Sequence, residues 1–213
     1  MILVLDLEVV PDYRFLGPEI ARLLPGETEY RVFVDEPTLP DLDAYDGVVL
    51  SGSTASVYDD DHDEWTEPAA DLVRRCRETP VPLLGVCFGH QLVHQALGGT
   101  VEKDRRRATF VEMEVTDDTD AVLEGVDPVV PVLHADVVVE PADGLVSTAR
   151  TSYNDHFCSR DAEAPIWTVQ FHPEFTARVA DEPSDWDDGE YTFADSSATR
   201  VLENFATVCA DGV

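Results

Sequence analysis

The segment Val81 to Leu97, VPLLGVCFGHQLVHQAL, constrains the fold more than any other part of the chain. An apolar run (Val81, Leu83, Leu84, Val86) with the character of a buried strand stops at Cys87. Apolar positions at helical spacing (Leu92, Val93, Ala96, Leu97) begin directly after Gly89. A change of period over so few residues puts Cys87 on a sharp strand-to-helix turn. Gly85 and Gly89 stand two residues to either side, where a side chain would hold strand and helix apart. The pattern is a nucleophile elbow with Cys in place of Ser. The free N–H groups and positive dipole end of the following helix favour a thiolate there. The competing description is a core cysteine, the commoner fate of a lone thiol. The flanking glycines and the change of period centred on Cys87 argue against it.

The rest of the chain supplies the sheet that such an elbow needs. Met1 to Leu7 is a continuous β-prone run, as in a central strand buried on both faces. Phe15 to Leu24 has helical spacing and ends at Pro25-Gly26. Tyr30 to Val34 and Gly47 to Leu50 read as strands, and the latter runs into Ser51-Gly52-Ser53-Thr54. An acidic loop, Asp59 to Glu64, then leads to a helix from Trp65 to Arg77. This alternation predicts an α/β parallel sheet in one domain spanning 1–213, with sites on the loops at the carboxyl ends of the strands. Beyond the elbow, Thr100 to Val115 reads as a pair of strands around Arg105-Arg106-Arg107, the arginines forming a solvated turn paired with carboxylates. Val129 to Val139, Leu145 to Ala149 and Ile166 to Phe171 are further strands. Ala180 to Glu190 reads as an exposed loop and Ser197 to Cys209 as a final helix.

Composition narrows the function classes. Asp and Glu total 44 against 14 Lys and Arg, a formal net charge of -30, and Lys103 is the one lysine. Nucleic acid and anionic membranes would be repelled. With 44% hydrophobic residues and acids spread along the chain, the excess belongs to a folded surface rather than a disordered tail. Such a surface resembles, in composition, that of cytosolic proteins from salt-in halophiles, where concentrated cations screen repulsion. No apolar run reaches the ~20 residues of a membrane span, and the first residues lack a basic leader, so a cytoplasmic location is expected. Cys76, Cys87, Cys158 and Cys209 form no CxxC pair and are expected to be reduced. The acidic loop DDDHDE invites a metal reading, but the general acid excess accounts for it, and no metal or cofactor is expected.

A cysteine nucleophile needs a base and a group to orient that base. His90 follows the turn too closely to swing back over the thiol, and His94 lies one turn further on. His62 and His156 sit in polar loops, and His134 ends a strand and is a competitor. His172 also ends a strand, and Glu174 two residues on can place its carboxylate beside the imidazole while Pro173 limits the backbone between them. His172 with Glu174 is the best pair.

GVCFGHQ at 85 to 91, VQFHPE at 169 to 174, SGS at 51 to 53, LHAD at 133 to 136 and ENF at 203 to 205 together resemble class I glutamine amidotransferase domains, in order and spacing over almost the whole chain. Within that class the pattern is most similar to the GMP synthase type. The resemblance implies a flavodoxin-like fold, an open mostly parallel sheet with helices on both faces. It implies Cys87 as nucleophile, His172 as acid/base and Glu174 as its orienter. It further implies an oxyanion hole from the backbone N–H groups of Phe88 and the Gly52-Ser53 turn, and glutamine contacts from Gln91 and from His134, Ala135 and Asp136. The family often has Gly then Pro where this chain has Ser53-Thr54, and Gly in place of Ala135, whose methyl would narrow the pocket. The expected activity is hydrolysis of L-glutamine, with ammonia passed to a separate ATP-dependent synthetase, because the chain has no GxxxxGK[ST] loop. A free-standing γ-glutamyl hydrolase with the same triad and a non-catalytic module on this scaffold are the rival readings.

Overall fold

The structure, a computed structural model, describes Met1–Gly212. In chain order the elements are β1 (Ile2–Asp6), α1 (Leu16–Leu23), β2 (Thr28–Val32), β3 (Gly47–Leu50), α2 (Asp63–Arg77), β4 (Leu83–Val86) and α3 (Phe88–Ala96). There follow β5 (Thr100–Glu112), β6 (Glu114–Val115), β7 (Val129–Glu140), β8 (Leu145–Arg150), β9 (Cys158–Asp161), β10 (Ile166–Val169) and α4 (Arg200–Asp211). The main sheet has the order β2-β1-β3-β4-β10-β9-β8-β6, and β5 and β7 pair separately. The first five strands in that order run parallel, and β9, β8 and β6 extend the sheet antiparallel. This is the doubly wound order of flavodoxin-like folds.

The pleat explains how one strand serves two cores. Successive side chains of a strand point to opposite faces. Leu3 and Leu5 of β1, Val48 and Leu50 of β3 and Leu83 of β4 pack with Trp65, Leu72 and Val73 of α2 and Phe88, Leu92 and Val93 of α3. Ile2, Val4, Val49, Leu84 and Val86 point the other way, onto Ile20 of α1 and Val201, Leu202 and Phe205 of α4. Helices therefore cover both faces, and each fully buried aliphatic side chain contributes about 1.5–3 kcal/mol of transfer free energy. No described helix is long and apolar enough to cross a membrane.

Several boundaries differ from the sequence reading. The second strand is Thr28–Val32 rather than Tyr30 to Val34. The α2 helix begins at Asp63, because Asp63 and Glu64 complement the positive helix end. The strand before His172 ends at Val169 rather than Phe171, and the last helix starts at Arg200 rather than Ser197. Cys158–Asp161 was not expected as a strand; CSRD has no apolar alternation and is held by its pairing with β8 and β10.

The larger correction concerns Thr100 to Val115. There is no turn at the arginines: β5 runs through them as one strand, with a register irregularity between Lys103 and Arg107 against β7. Arg107 is buried, and its guanidinium lies 3.7 Å from the Tyr153 ring centroid and 2.7 Å from Asp104. Two of the three arginines do meet carboxylates, Arg107 binding Asp104 and Arg106 binding Asp185 at 2.9 Å. The Ala180 to Glu190 segment is mostly exposed, but Trp186 is drawn into an aromatic cluster with Phe110, Phe175 and Phe193.

Candidate active site

The carboxyl ends of β1, β3, β4 and β10 meet the middle of β7 around a cavity of ≈ 710 Å³. Its walls include Gly52, Ser53, Cys87, Gln91, His134, Ala135, Asp136 and His172. Eight of the ten residues singled out from the sequence thus share one cavity. Glu174 lies behind His172, fully buried. The Phe88 ring points away and packs on Trp65 with ring centroids 5.5 Å apart.

Cys87 occupies the turn between β4 and α3 with φ 52° and ψ -101°, the only described non-glycine residue at positive φ. Such a conformation costs about 1–3 kcal/mol and persists only where its surroundings impose it. Here they do. The Cys87 N–H donates to Val169 O at 2.9 Å, and Gly89 N–H donates to Ser51 O at 3.1 Å, so the turn is tied to β10 on one side and β3 on the other. A Cβ on Gly85 would stand 2.6 Å from Gly89 O, and one on Gly89 would stand 2.5 Å from Leu50 O. Both glycines are required by the closeness of strand and helix.

The bond from Cys87 to Val169 also brings the residues after β10 to the thiol. His172 N–H donates to Pro131 O at 2.9 Å, fixing the backbone, and the ring nitrogen Nδ1 lies 2.7 Å from Glu174 Oε1. Nε2 of the same ring has no hydrogen-bond partner. Gly52 closes the arrangement, since a Cβ there would lie 2.7 Å from His172 Cε1 and 3.6 Å from Cys87 Cβ. Burial opposes charge on His172, but the adjacent Cys87 and Glu174 favour the imidazolium more strongly and raise its pKa to about 10.

The three other buried histidines and the other thiols are occupied or unsuited. His134 Nδ1 meets Asp136 O at 3.0 Å and Nε2 meets the Tyr153 hydroxyl at 3.1 Å, while burial lowers its pKa to about 4. His90 bonds Thr168, and burial holds it well below the ordinary range. His94 accepts from Ala142 N–H and is lowered to about 3 by burial. Burial pushes Cys76 and Cys209 up to about 12 and holds Cys158 well above the ordinary thiol range, so these thiols are poor nucleophiles near neutral pH.

The remaining candidates shape the walls. Gln91 donates through Nε2 to Asp136 O at 3.0 Å and to Gln170 Oε1 at 3.1 Å. The Asp136 carboxylate accepts from Ser56 Oγ at 2.6 Å and Tyr58 OH at 3.0 Å, fastening the 51–58 loop. Glu8, which the sequence reading passed over, does the same for the turn beside Cys87. It accepts from Thr54 N–H at 2.8 Å and Thr54 Oγ1 at 2.6 Å, and burial raises its pKa. Its place just past the end of a buried parallel strand was the available signal. Among the described residues no group of His, Cys, Asp and Glu is placed to hold a metal ion. The acidic loop forms a short 3-10 turn, Asp60–His62, ahead of α2.

Residues 26–183 match the family Glutamine amidotransferase class-I. The chain belongs to this family. Among amidotransferase relatives, a glutamine-hydrolyzing GMP synthase subunit of Halobacterium salinarum is 32% identical over 196 residues, which are 88% of this chain and 90% of that protein. The glutamine-hydrolyzing GMP synthase of Desulfotalea psychrophila is 35% identical over 133 residues, 60% of this chain and 24% of that protein. The chain therefore spans about a quarter of such longer relatives. A crystal structure of a glutamine amidotransferase from Thermotoga maritima has a TM-score of 0.73 at 20% identity, covering 85% of this chain and 80% of that one, and shares this fold.

Proposed function

We propose that residues 1–213 form one amidotransferase domain that acts as a glutaminase subunit, hydrolysing L-glutamine through a Cys87 thioester and delivering ammonia to a separate ATP-dependent synthetase. The observation that carries this reading is the strained Cys87 at a helix N-terminus beside a His172 ring whose far nitrogen is held by buried Glu174. Its chemistry follows from those positions. The Cys87 sulfur attacks the side-chain amide carbon, and the carbonyl oxygen gains negative charge facing the Phe88 N–H and the Gly52-Ser53 turn. His172 as imidazolium gives its Nε2 proton to the departing nitrogen, and the C–N bond breaks to leave ammonia and a γ-glutamyl thioester. Water then attacks the thioester, His172 taking its proton, and glutamate leaves as the thiolate reforms. Glu174 keeps Nδ1 protonated so that Nε2 exchanges the proton throughout.

The names of the relatives support GMP formation as the reaction that consumes the ammonia, with XMP as acceptor. A net charge of -30 with a single lysine supports a halophilic, cytoplasmic setting. The test is glutamate release in molar potassium chloride with and without the candidate synthetase, ATP and XMP. Stimulation by the synthetase, together with loss of activity in Cys87→Ala, is the expected result. Full activity in Cys87→Ala would remove the nucleophile assignment. Full-speed turnover by the lone chain, or preference for another γ-glutamyl compound, would replace this reading with a free-standing hydrolase.

A further inference from the structure

We infer that Lys103 binds the α-carboxylate of the substrate and so selects for γ-glutamyl compounds that carry one. This rests on the glutamine reading above and names a residue for the end of the substrate remote from Cys87. In a chain with 44 carboxylates and 14 cations, a basic side chain has acids on every side. Lys103 nevertheless makes no ion pair among the described residues, although it is exposed and lines the cavity that holds Cys87. The other cation on the wall, Arg106, is already held by two bonds to Asp185, at 2.9 and 3.2 Å.

Strand register explains why the ammonium is left unpaired. Lys103 stands directly opposite Asp136 in the β5–β7 ladder, and directly opposite residues of an antiparallel pair share a face. Asp136 has turned both oxygens to the hydroxyls of Ser56 and Tyr58, and its carbonyl receives the Gln91 amide. The nearest cross-strand acid is therefore engaged elsewhere, and Lys103 stands on the same face of the ladder as Asp136, one of the residues of the cavity wall.

Charge makes a cation at this place necessary. Asp6, Glu8, Glu182, Asp185 and Asp136 all line the cavity, on a protein whose overall charge is already -30. An entering carboxylate meets repulsion unless a cation receives it. Lysine suits the task, as a compact ammonium on a flexible stem that adjusts to a substrate fixed at its other end by the nucleophile.

The test measures binding without requiring turnover. Cys87 of the full chain in molar potassium chloride is alkylated with iodoacetamide, followed by mass spectrometry, under rising concentrations of glutamine or of 4-aminobutanamide, which lacks the carboxylate. Lys103→Met should raise the half-protecting glutamine concentration about tenfold, the usual worth of one charge-assisted contact. The value for 4-aminobutanamide and the unprotected alkylation rate should be the same in both proteins, and Lys103→Arg should restore most of the glutamine protection. Equal protection by glutamine in wild type and Lys103→Met overturns the inference, as does an equal loss for both amides. If glutamine fails to protect the wild type itself, the glutamine reading falls first and the Lys103 assignment with it.

Discussion

Gly52 sits so close to His172 that a single added methyl would stand 2.7 Å from the ring carbon Cε1. The ring cannot yield easily, because its Nδ1 is bound to Glu174 and its backbone to Pro131. Gly52→Ala should therefore push the β3 loop away from Cys87 rather than displace His172. A shift of about 1 Å in such a group costs on the order of 10²-fold in rate. The expected outcome is that loss in kcat/KM for glutamine with the thermal midpoint little changed. Wild-type activity in Gly52→Ala would show that the turn takes no part in the reaction.

The backbone at Cys87 stores strain that a glycine would release. Cys87→Ala removes the thiol but keeps the Cβ at φ 52°, whereas Cys87→Gly removes both. Relief of about 1–3 kcal/mol, offset by the extra entropy of glycine in the unfolded chain, leaves Cys87→Gly more stable than Cys87→Ala by about 1 kcal/mol. Denaturant midpoints of the two variants measure it. A less stable glycine variant would mean that the turn is not strained.

His172 sets a pH dependence whose sign follows from its raised pKa. A group raised from 6.5 to about 10 on folding contributes stability that is complete below pH 6.5 and disappears as pH climbs through about 10. The stability difference between wild type and Glu174→Gln should be widest below pH 6.5 and should narrow towards pH 10. Histidine NMR should show the His172 ring titrating near pH 10, and moving towards its ordinary range in Cys87→Ala and in Glu174→Gln. A wild-type midpoint near 6.5 would contradict the coupling of His172 to its neighbours.

Salt should stabilise the fold. At a net charge of -30 the surface carboxylates repel one another in dilute buffer, and molar salt shortens the screening length to about 3 Å. Contacts such as Arg150–Glu114 are exposed and lose little when screened, whereas the summed repulsion is largely removed. The melting temperature should rise between low and molar potassium chloride. A flat or falling response would count against a halophilic surface.

What the sequence determined by itself acts over a few residues. Gly85, Cys87 and Gly89 place a sharp turn because backbone sterics and helix period are local, and His172-Pro173-Glu174 sets imidazole beside carboxylate within one short segment. The alternation of apolar runs likewise predicts strands and helices, since the pleat and the helical turn repeat every few positions. Tertiary structure decided everything that depends on which distant segments meet. Of the two histidines that the sequence suggests end strands, His134 instead lies within β7 and is occupied by Asp136 and Tyr153, while His172 keeps Nε2 free, and those partners follow from sheet pairing. Glu8 reaches Thr54, and Gln91 reaches Gln170 across 79 positions, bonds that exist only after the strands have been ordered. The strand at Cys158–Asp161 and the burial of Arg107 against Tyr153 have the same origin. Local preference is too weak to dictate either, and the free energy of completing a ladder or covering a ring belongs to the assembled sheet.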